Sequence, residues 1–178
     1  LRMEYYAIRI REENGELLVD DSWLLSIWKT IVLEDRVDLV FYSGGVDNPE
    51  TFLEFIKSTQ RSVSVVADKD SGQIHAMGWL TNWDSGTPFA HFCALGKPNR
   101  RVGRILTDHW LDWRDQHGNY KLRLVMGITP VNHSIALRLL KIAGFTHAGT
   151  VPDMCYCSQS GMYVPGVISY LQRDQGDP

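Results

Sequence analysis

The chain has 178 residues, of which 44% are hydrophobic, 22% charged and 11% aromatic. This length suits one domain with one substantial core, because two domains would each be small. We therefore predict a single domain over residues 1–178. The apolar fraction is too high for a disordered chain, and no apolar run approaches the ~18 residues of a membrane span. A basic segment followed by an apolar stretch, the mark of a signal peptide, is not evident.

The formal net charge of −3 is unevenly distributed along the chain. Residues 1–95 contain 8 Lys/Arg and 15 Asp/Glu, whereas residues 96–178 contain 10 and 6. The acidic first part argues against general binding to nucleic acid or to anionic membranes. The basic excess in the second part needs a local explanation.

Three cysteines, Cys93, Cys155 and Cys157, are an odd number and too few for a disulfide framework. They indicate a reducing, cytoplasmic setting. The Cys-x-Cys pair has His147 nearby, but further ligands at the usual spacing for a metal are missing. We predict no metal site.

The N-terminal third predicts one strand and two helices. Residues 5–10 form the strand. Asp20 or Asp21 caps a helix whose apolar residues, from Trp23 to Ile31, follow helical spacing. A second helix begins near Pro49, because Asn48-Pro49-Glu50 is a typical helix start.

The middle of the chain changes to the period of strands. Residues 62–67 and 73–81 predict a β-hairpin, joined by a polar turn that contains Gly72. A further strand follows at residues 88–95. Residues 99–117 then predict a long amphipathic helix, because apolar side chains recur at helical spacing.

The last third predicts a strand, a helix and two closing strands. Residues 122–128 are nearly continuously apolar, which is typical of a strand buried on both faces. A helix over residues 133–143 ends at Gly144, a residue suited to a left-handed cap. Residues 147–156 and 164–171 close the fold, and Pro165 marks the last strand as an edge or bulged strand. This order predicts a mixed α/β (α+β) domain with helices packed on one central sheet.

The densest charge cluster is the segment 97–104, Lys-Pro-Asn-Arg-Arg-Val-Gly-Arg, at the start of the long helix. Four cations there are mildly unfavourable with the helix dipole, at roughly 0.3–1 kcal/mol each when exposed. They make better sense if an anion binds to the free N–H groups at that helix start. A solvated loop is the alternative, and on charge alone it is the commoner case.

The basic loop and the elements around it resemble those of the GNAT acetyltransferases. The resemblance covers residues 60–156 and depends on the order strand, basic loop, amphipathic helix, buried strand and a helix from Asn132 to Gly144-Phe145. The family's loop, Gln/Arg-x-x-Gly-x-Gly/Ala, is matched at Arg100 and Gly103 and not at Ile105. The resemblance implies a mixed, mostly antiparallel sheet flanked by about four helices.

The resemblance also implies acetyl-CoA as cosubstrate. Its thioester would lie along the strand that ends at Leu95, where backbone N–H groups polarise the carbonyl. Its pyrophosphate would bind the basic loop. The implied cosubstrate residues are Cys93, Ala94, Leu95, Arg100, Arg101, Val102, Gly103, Arg104, Ile105, Asn132 and Ser134.

The acceptor that the resemblance implies is an amine. An amine attacks the thioester only when it is neutral, so a general base that removes its proton is useful. The family's position for that base, four residues before Leu95, holds His91, whose ordinary pKa of ~6.5 suits the role. A hydrogen-bonded strand histidine is the alternative. The family's tyrosine acid falls at Leu140, which has no proton to donate. Water or another group, with Tyr156 as a candidate, would then serve as the acid, or the transfer is slow or absent.

Several residues of this set also have ordinary structural interpretations. Asn132 is a favoured helix cap, and Ser134 lies in the same first turn. Cys93 is expected to be a small core residue. Trp79 and Trp83 end a central strand beside the expected acceptor pocket, although packing is their default role. The acidic residues near a cationic acceptor, Glu34 among them, are more typical of a solvated face.

The sequence therefore predicts a cytoplasmic N-acetyltransferase that transfers acetyl from acetyl-CoA to a primary amine. The main alternative is a catalytically weak or inactive module of the same fold that binds acyl-CoA or a protein partner. Nucleotide binding through the same loop is less favoured, because no P-loop or dinucleotide motif is present. A strand edge near the C-terminus leaves homodimerisation open.

Overall fold

A computed structural model describes residues 4–96 and 100–173. These residues contain seven strands, five helices and one 3₁₀ turn, at Trp83–Ser85. In chain order they are β1 (Tyr5–Arg9), α1 (Asp21–Leu33), α2 (Val37–Val40), α3 (Pro49–Lys57), β2 (Arg61–Asp68), β3 (Ile74–Thr81), β4 (Phe89–Ala94), α4 (Arg100–Leu111), β5 (Leu124–Pro130), α5 (Ser134–Ile142), β6 (Thr146–Cys157) and β7 (Met162–Gln172).

All seven strands form one sheet in the order β1-β2-β3-β4-β5-β7-β6. Neighbouring strands are antiparallel except β4 and β5, which are parallel. The predicted class, a mixed and mostly antiparallel sheet flanked by helices, is confirmed.

The two predicted N-terminal helices are present; the first is capped by Asp20, one of the two predicted candidates, and the second by Asn48. Asp20 Oδ1 accepts the Trp23 N–H at 2.8 Å, and Asn48 Oδ1 accepts the Thr51 N–H at 2.9 Å. Side-chain oxygens at this position satisfy N–H groups that have no partner within the helix. The helix α2 was not predicted, because a single turn is too short to show helical periodicity.

Two apolar layers cover the two faces of the sheet. On one face α1 and α3 pack on β2, β3 and β4 through Leu24, Phe52 and Trp79. On the other face α4 packs on the same strands and on β5 through Leu106 and Trp110, both fully buried. Strand residues alternate between the layers, as a pleated sheet requires.

The long helix is shorter than predicted. We expected it to run to residue 117, and it ends at Leu111. The chain after it turns back on itself: Arg114 forms a bridge with Tyr120, and Asp115 accepts the N–H groups of His117 and Asn119. Trp113, which continues the helical spacing, is buried from this loop instead.

The helix α5 ends as predicted. Gly144 has φ +95°, its N–H donates to Lys141 O, and the Phe145 N–H donates to Leu140 O. This pair of bonds is a Schellman cap, which favours glycine at the left-handed position.

The prediction that β5 is buried on both faces is wrong. Val125, Gly127 and Thr129 are buried, whereas the alternate residues Met126 and Ile128 are only half-buried. The reason is that the layer formed by α1 and α3 takes its sheet residues from β2, β3 and β4.

Of the two alternatives predicted for the last strand, an edge position or a bulge, the edge position is wrong and an irregularity is present. β7 lies between β5 and β6, and the edges are β1 and β6. The irregularity expected at Pro165 falls in β6, where the pairing skips from Val151 to Cys155 opposite this proline. The Pro165 carbonyl accepts the Val131 N–H at 2.9 Å. The ladder with β5 ends at the pair Pro130–Gly166, so the N–H that proline lacks is not required there.

Within the described residues, no helix combines the length and apolar character required to cross a membrane.

Candidate functional site

The parallel strands β4 and β5 separate soon after they meet. Phe89 and Met126 are the one residue pair in their ladder, and the Met126 N–H donates to Pro88 O at 2.9 Å. Beyond that pair β4 continues to Ala94 and β5 to Pro130. We call the space between them the β4/β5 split.

One side of the split is the free edge of β4. Leu95 N–H donates to His75 O at 2.8 Å, so the odd-numbered residues of β4 bond to β3. Hydrogen-bonding direction alternates along an antiparallel pair, so the backbone groups of Phe92 and Ala94 point into the split. The edge thus offers amide donors and acceptors to an extended ligand.

His91 is two residues beyond Phe89 on β4. Its side chain lies on the sheet face covered by α1 and α3. Its ring stacks on Trp79, with ring centroids 5.2 Å apart and an interplanar angle of 8°. Burial, with the positive charge of Arg61 as a second cause, lowers the His91 pKa to about 4. The imidazole is therefore neutral at pH 7 and a weaker base than an ordinary histidine.

Of the residues that follow His91, Phe92 and Ala94 direct their backbone groups into the split, whereas Cys93 and Leu95 bond to β3. The predicted use of the Cys93 and Leu95 backbone by the cosubstrate is therefore not supported by this geometry. Leu95 and Ala94 are buried in opposite layers. Cys93 packs with Leu95 against the α1 side, and burial raises its pKa to about 12. Its sulfur is thus a thiol at neutral pH, which fits the expected packing role.

The basic loop leads into the N-terminus of α4. Residues 97–99 lie outside the described residues, as does the side chain of Arg100. Arg101 is exposed, and Arg104 pairs with Asp108 through a contact of 2.9 Å between Nε and Oδ1. Among the side chains that the structure describes, two arginines, Arg101 and Arg104, therefore lie in the first two turns of the twelve-residue helix α4.

The remaining loop residues of the predicted cosubstrate set face inward. Val102 is buried in the α4 layer, and Ile105 is half-buried against it. A Cβ on Gly103 would meet Ala143 and Phe92 at 3.7 Å, an ordinary contact. Val102 lies in the first turn of α4, where N–H groups have no partner within the helix, whereas Ile105 lies beyond that turn and its N–H bonds within the helix. The side-chain positions of all three residues belong to helix packing.

The start of α5 differs from the prediction by one residue. His133, not Asn132, is at the N-cap, and no side-chain cap bond forms there. The expected capping role of Asn132 is therefore wrong: its position precedes the cap, so its amide is not aligned with the helix N–H groups. Asn132 and Ser134 are both exposed at the end of β5, on the far side of the split.

Tyr156 lies on β6 opposite Tyr163, with their ring centroids 5.2 Å apart. It is 39% exposed. β5 ends at Pro130, whose partner on β7 is Gly166, so the β6–β7 hairpin around Tyr156 extends past the end of β5.

A second tyrosine, Tyr42, was not among the residues predicted from the sequence. Its ring meets that of His133 edge-on, with centroids 5.6 Å apart. Burial raises its pKa to about 12, with Cys155 as a further cause. Its carbonyl accepts the Ser158 N–H at 2.8 Å, so the chain between α2 and α3 is tied to the β6–β7 hairpin. Neither sequence motif nor spacing marks this contact between distant segments.

Two charged residues between α1 and α2 reach the edge of β4. Glu34 accepts the Gly96 N–H at 2.6 Å, and Arg36 donates to Ala94 O. We predicted that Glu34 belongs to a solvated acidic face, and this is wrong: its carboxylate binds the backbone just before the basic loop. No sequence pattern pointed to Arg36.

The two tryptophans near the expected acceptor side are packing residues. Trp79 is 6% exposed and lies between Phe41 and His91. Trp83 lies on the α4 side of the sheet, stacked on Trp113 at 5.4 Å. Leu140 is buried with Ala143 and Phe145.

In the described part of the chain, no three His, Cys, Asp or Glu side chains are grouped to hold a metal ion.

Comparison with known proteins places the fold. No family model matches the sequence, and no curated protein matches it. Among solved structures, the ribosomal-protein-S5-alanine acetyltransferase of Vibrio fischeri is 17% identical, with a TM-score of 0.64 over 98% of this chain and 96% of that one. The spermidine N-acetyltransferase of Vibrio cholerae, in complex with CoA and spermine, is 13% identical, with a TM-score of 0.66 over 95% of each chain.

A third similar structure is the yncA protein of Salmonella typhimurium with its cofactor acetyl-CoA. It is 12% identical, with a TM-score of 0.64 over 98% of this chain and 96% of that one. At these identities the likeness is one of fold. The chain has the fold of the GNAT acetyltransferases, as the sequence predicted.

Proposed function

We propose that the chain is a single-domain N-acetyltransferase, which transfers acetyl directly from acetyl-CoA to a primary amine. The observation that carries the proposal is the β4/β5 split, where an edge of β4 that no neighbouring strand covers leads to a basic helix start. An acyl-CoA has matching parts, since its pantetheine arm is an extended chain of amides and its pyrophosphate is an anion.

The fold neighbours support this choice of ligand. One contains acetyl-CoA and another contains CoA with spermine. In the proposed complex the pyrophosphate binds the N–H groups at the start of α4, with Arg101 and Arg104 nearby. Arg104 is shared with Asp108, so part of its charge is already neutralised. The arm runs along Phe92 and Ala94, and Asn132 and Ser134 face it from the end of β5.

The reaction needs one bond made and one broken. The neutral amine nitrogen attacks the thioester carbonyl carbon, the C–S bond breaks, and the sulfur leaves as thiolate. One proton leaves the nitrogen and one returns to the sulfur. Backbone N–H groups on the edge of β4 stabilise the oxyanion, and such stabilisation usually contributes more than any other effect to the acceleration of acyl transfer.

His91 is the proposed acceptor of the amine proton, because it lies on β4, the strand that borders the split, two residues after the pair between Phe89 and Met126. Its lowered pKa keeps it neutral and ready to accept a proton, but it also makes the transfer less favourable than for an ordinary histidine. We therefore expect slow turnover that rises with pH as the amine itself loses its proton. Tyr156 is the proposed donor to the thiolate.

The rival is a module of this fold that binds acyl-CoA or a protein partner without turnover. Leu140 favours it, since this buried aliphatic side chain holds the position of the family's tyrosine acid. The exposed β6 edge is the proposed surface for pairing two copies. One fold neighbour, the Vibrio cholerae spermidine enzyme, has a dodecameric structure. The three free thiols support a cytoplasmic location.

Calorimetry with acetyl-CoA tests the cosubstrate. We expect saturable binding that weakens in Arg101→Met and Arg104→Met. Arg138→Met, which removes an exposed arginine from α5, is the matched control. Binding of ADP tests the alternative that the basic loop is a nucleotide site. ADP should bind more weakly than acetyl-CoA, and equal affinity would favour a nucleotide site. No heat of binding at millimolar acetyl-CoA would end the proposal.

Release of free thiol from acetyl-CoA tests turnover. A panel of polyamines, small aromatic amines and peptides with free N-termini covers the acceptor classes, and the enzyme proposal expects release with at least one. Binding without release across the panel favours the non-catalytic module. Tyr156→Phe should reduce the rate more than Tyr163→Phe, which removes the neighbouring hydroxyl.

A further inference from the structure

An ion pair occupies the end of the β4 edge. Glu34 Oε1 accepts the Gly96 N–H at 2.6 Å, and Arg36 donates to Ala94 O. The two side chains bind each other, with 3.1 Å between Arg36 Nε and Glu34 Oε2. The Arg36 side chain is 30% exposed and the Glu34 side chain 22%, so the pair is largely shielded from water. We call these two side chains the Glu34–Arg36 pair.

The Glu34–Arg36 pair takes the hydrogen bonds that a neighbouring strand would take. A residue on a parallel strand donates its N–H to one carbonyl and accepts from the N–H two residues further along the same edge. Ala94 O and Gly96 N–H are such a set. Arg36 supplies the donor and Glu34 the acceptor, so together they satisfy this edge as the N–H and C=O of one residue on a neighbouring strand would.

The backbone around the Glu34–Arg36 pair is firmly defined. The α1 helix ends in a Schellman cap, where the Arg36 N–H donates to Ile31 O at 3.0 Å and the Asp35 N–H to Val32 O at 3.0 Å. Asp35 is left-handed, with φ +52°. The turn directs residues 34 and 36 to the same strand edge, so the contact follows from the helix end and not from two independent surface side chains.

The occupied groups belong to the path proposed for the cosubstrate. The pantetheine arm must follow the edge of β4 from Phe92 toward the basic loop, and Ala94 O and Gly96 N–H are the last edge groups before residues 97–104. An extended chain of amides and the Glu34–Arg36 pair therefore require the same backbone atoms.

We propose that the Glu34–Arg36 pair holds the place of an N–H and a C=O of the pantetheine arm and that these two residues set the affinity for acetyl-CoA by being displaced when it binds. This inference rests on the proposed function. The free protein then exists mainly with the edge occupied, and the apparent dissociation constant is raised by the inverse of the fraction that is open. Displacement also releases a carboxylate beside the split, where a cationic amine would be attracted.

Calorimetry on matched variants tests this inference. Arg36→Met keeps the length of the side chain and removes the donor, and Glu34→Gln weakens the ion pair. If the edge is open for about 10–30% of the time, Arg36→Met should bind acetyl-CoA roughly three to ten times more tightly than the wild type. Lys57→Met is the control, because it breaks the Asp21–Lys57 ion pair at the other end of α1, far along the chain from β4.

A purely structural ion pair gives a different result. It would lower the melting temperature of Arg36→Met and leave acetyl-CoA affinity unchanged or weaker, which would overturn the inference. If Arg36→Met does not fold, the Arg36 Nε–H resonance in the wild type decides. It should move toward the position of a solvent-exposed arginine as acetyl-CoA is added, and an unmoved resonance at saturation would overturn the inference.

The two proposals fail in distinguishable ways. If neither the wild type nor any variant binds acetyl-CoA, the proposed function fails and this inference with it. If the wild type binds and Arg36→Met gains no affinity, the cosubstrate assignment stands and only the role of the Glu34–Arg36 pair is lost.

Discussion

The ring of His91 lies parallel to the indole of Trp79, with an angle of 8° between their planes. Trp79 stacks in turn on Phe41, whose ring centroid is 5.9 Å away at 17°. The stack excludes water from the imidazole, and Arg61 adds a positive charge, so the His91 pKa falls to about 4. The candidate base is thereby linked to the packing of the core.

The stability of the protein should depend on pH through His91. Between about pH 6.5 and 4 the unfolded chain binds a proton at this residue that the folded chain does not. The contribution is complete above about pH 6.5 and is lost as pH falls toward 4, and it amounts to about 3 kcal/mol in unfolding free energy. The difference in unfolding free energy between the wild type and His91→Gln should change by about this amount between pH 7 and 4.

Urea unfolding at the two pH values measures that difference. An NMR titration of the His91 ring gives the pKa directly in the folded protein. A titration midpoint near pH 6.5 would show that the stack with Trp79 does not exclude water from the imidazole.

Gly78→Ala should destabilise the fold. A Cβ at this position of β3 would lie 2.7 Å from side-chain atoms of both Leu106 and Trp110, and 2.8 Å from His91 O. Because α4 packs directly on this backbone, the helix must move, at a cost of about 1–3 kcal/mol in unfolding free energy. Gly149→Ala on β6 is the matched control, since a Cβ there meets nothing within 4 Å. Chemical denaturation of both variants compares them, and equal stabilities would contradict the close packing.

The two asparagines at helix starts should behave differently. Asn48→Ala removes the cap of α3 and should cost about 1 kcal/mol of unfolding free energy. Asn132→Ala removes a residue that precedes the cap of α5, so its effect should stay within about 0.5 kcal/mol. Thermal unfolding of the two variants tests the corrected assignment, which fails if Asn132→Ala is the more damaging change.

Asp35→Gly and Asp35→Ala form a matched pair at the end of α1. Both remove the carboxylate, but only glycine adopts φ +52° without a Cβ penalty. The glycine variant should therefore be the more stable by about 1 kcal/mol. Denaturant midpoints provide the measurement, and an alanine variant of equal stability would argue against the left-handed cap.

The Cys93 thiol should resist alkylation in the folded protein. With a pKa of about 12, roughly one molecule in ten thousand carries the thiolate at pH 8. Iodoacetamide labelling followed by peptide mass spectrometry should modify Cys93 slowly in the native state and quickly in urea. Fast native labelling would show an open path to its sulfur.

The fold was largely predictable because its local signals agree with one another. Asp20, Asn48 and Gly144 mark helix ends through backbone chemistry that acts within four residues. The sequence identifies Asn48 and Gly144, and it identifies Asp20 as one of two candidates. The end of α4 was not, since Trp113 continues the helical spacing while its burial depends on a loop closed by Tyr120. The place of β7 inside the sheet was also missed, because Pro165 is accommodated by an irregularity in a different strand.

The site was less predictable, for a physical reason. The order of residues 91–104 suggests a cosubstrate path, and the roles expected of His91 and Tyr156 stay predictions. The contacts of Glu34, Arg36 and Tyr42 join segments about 60 to 115 residues apart, as in Glu34 to Gly96 and Tyr42 to Ser158. No periodicity in a single sequence encodes such pairings.

The single residue pair between β4 and β5 also bears on how the chain is assembled. Strands β1 to β4 find all their antiparallel partners within residues 5–94, and β5 to β7 find theirs within residues 124–172. A chain emerging from the ribosome can therefore complete the first four-stranded unit before the second has been synthesised. Joining the two units requires few further strand contacts, so the slow search for distant β-partners is mostly avoided.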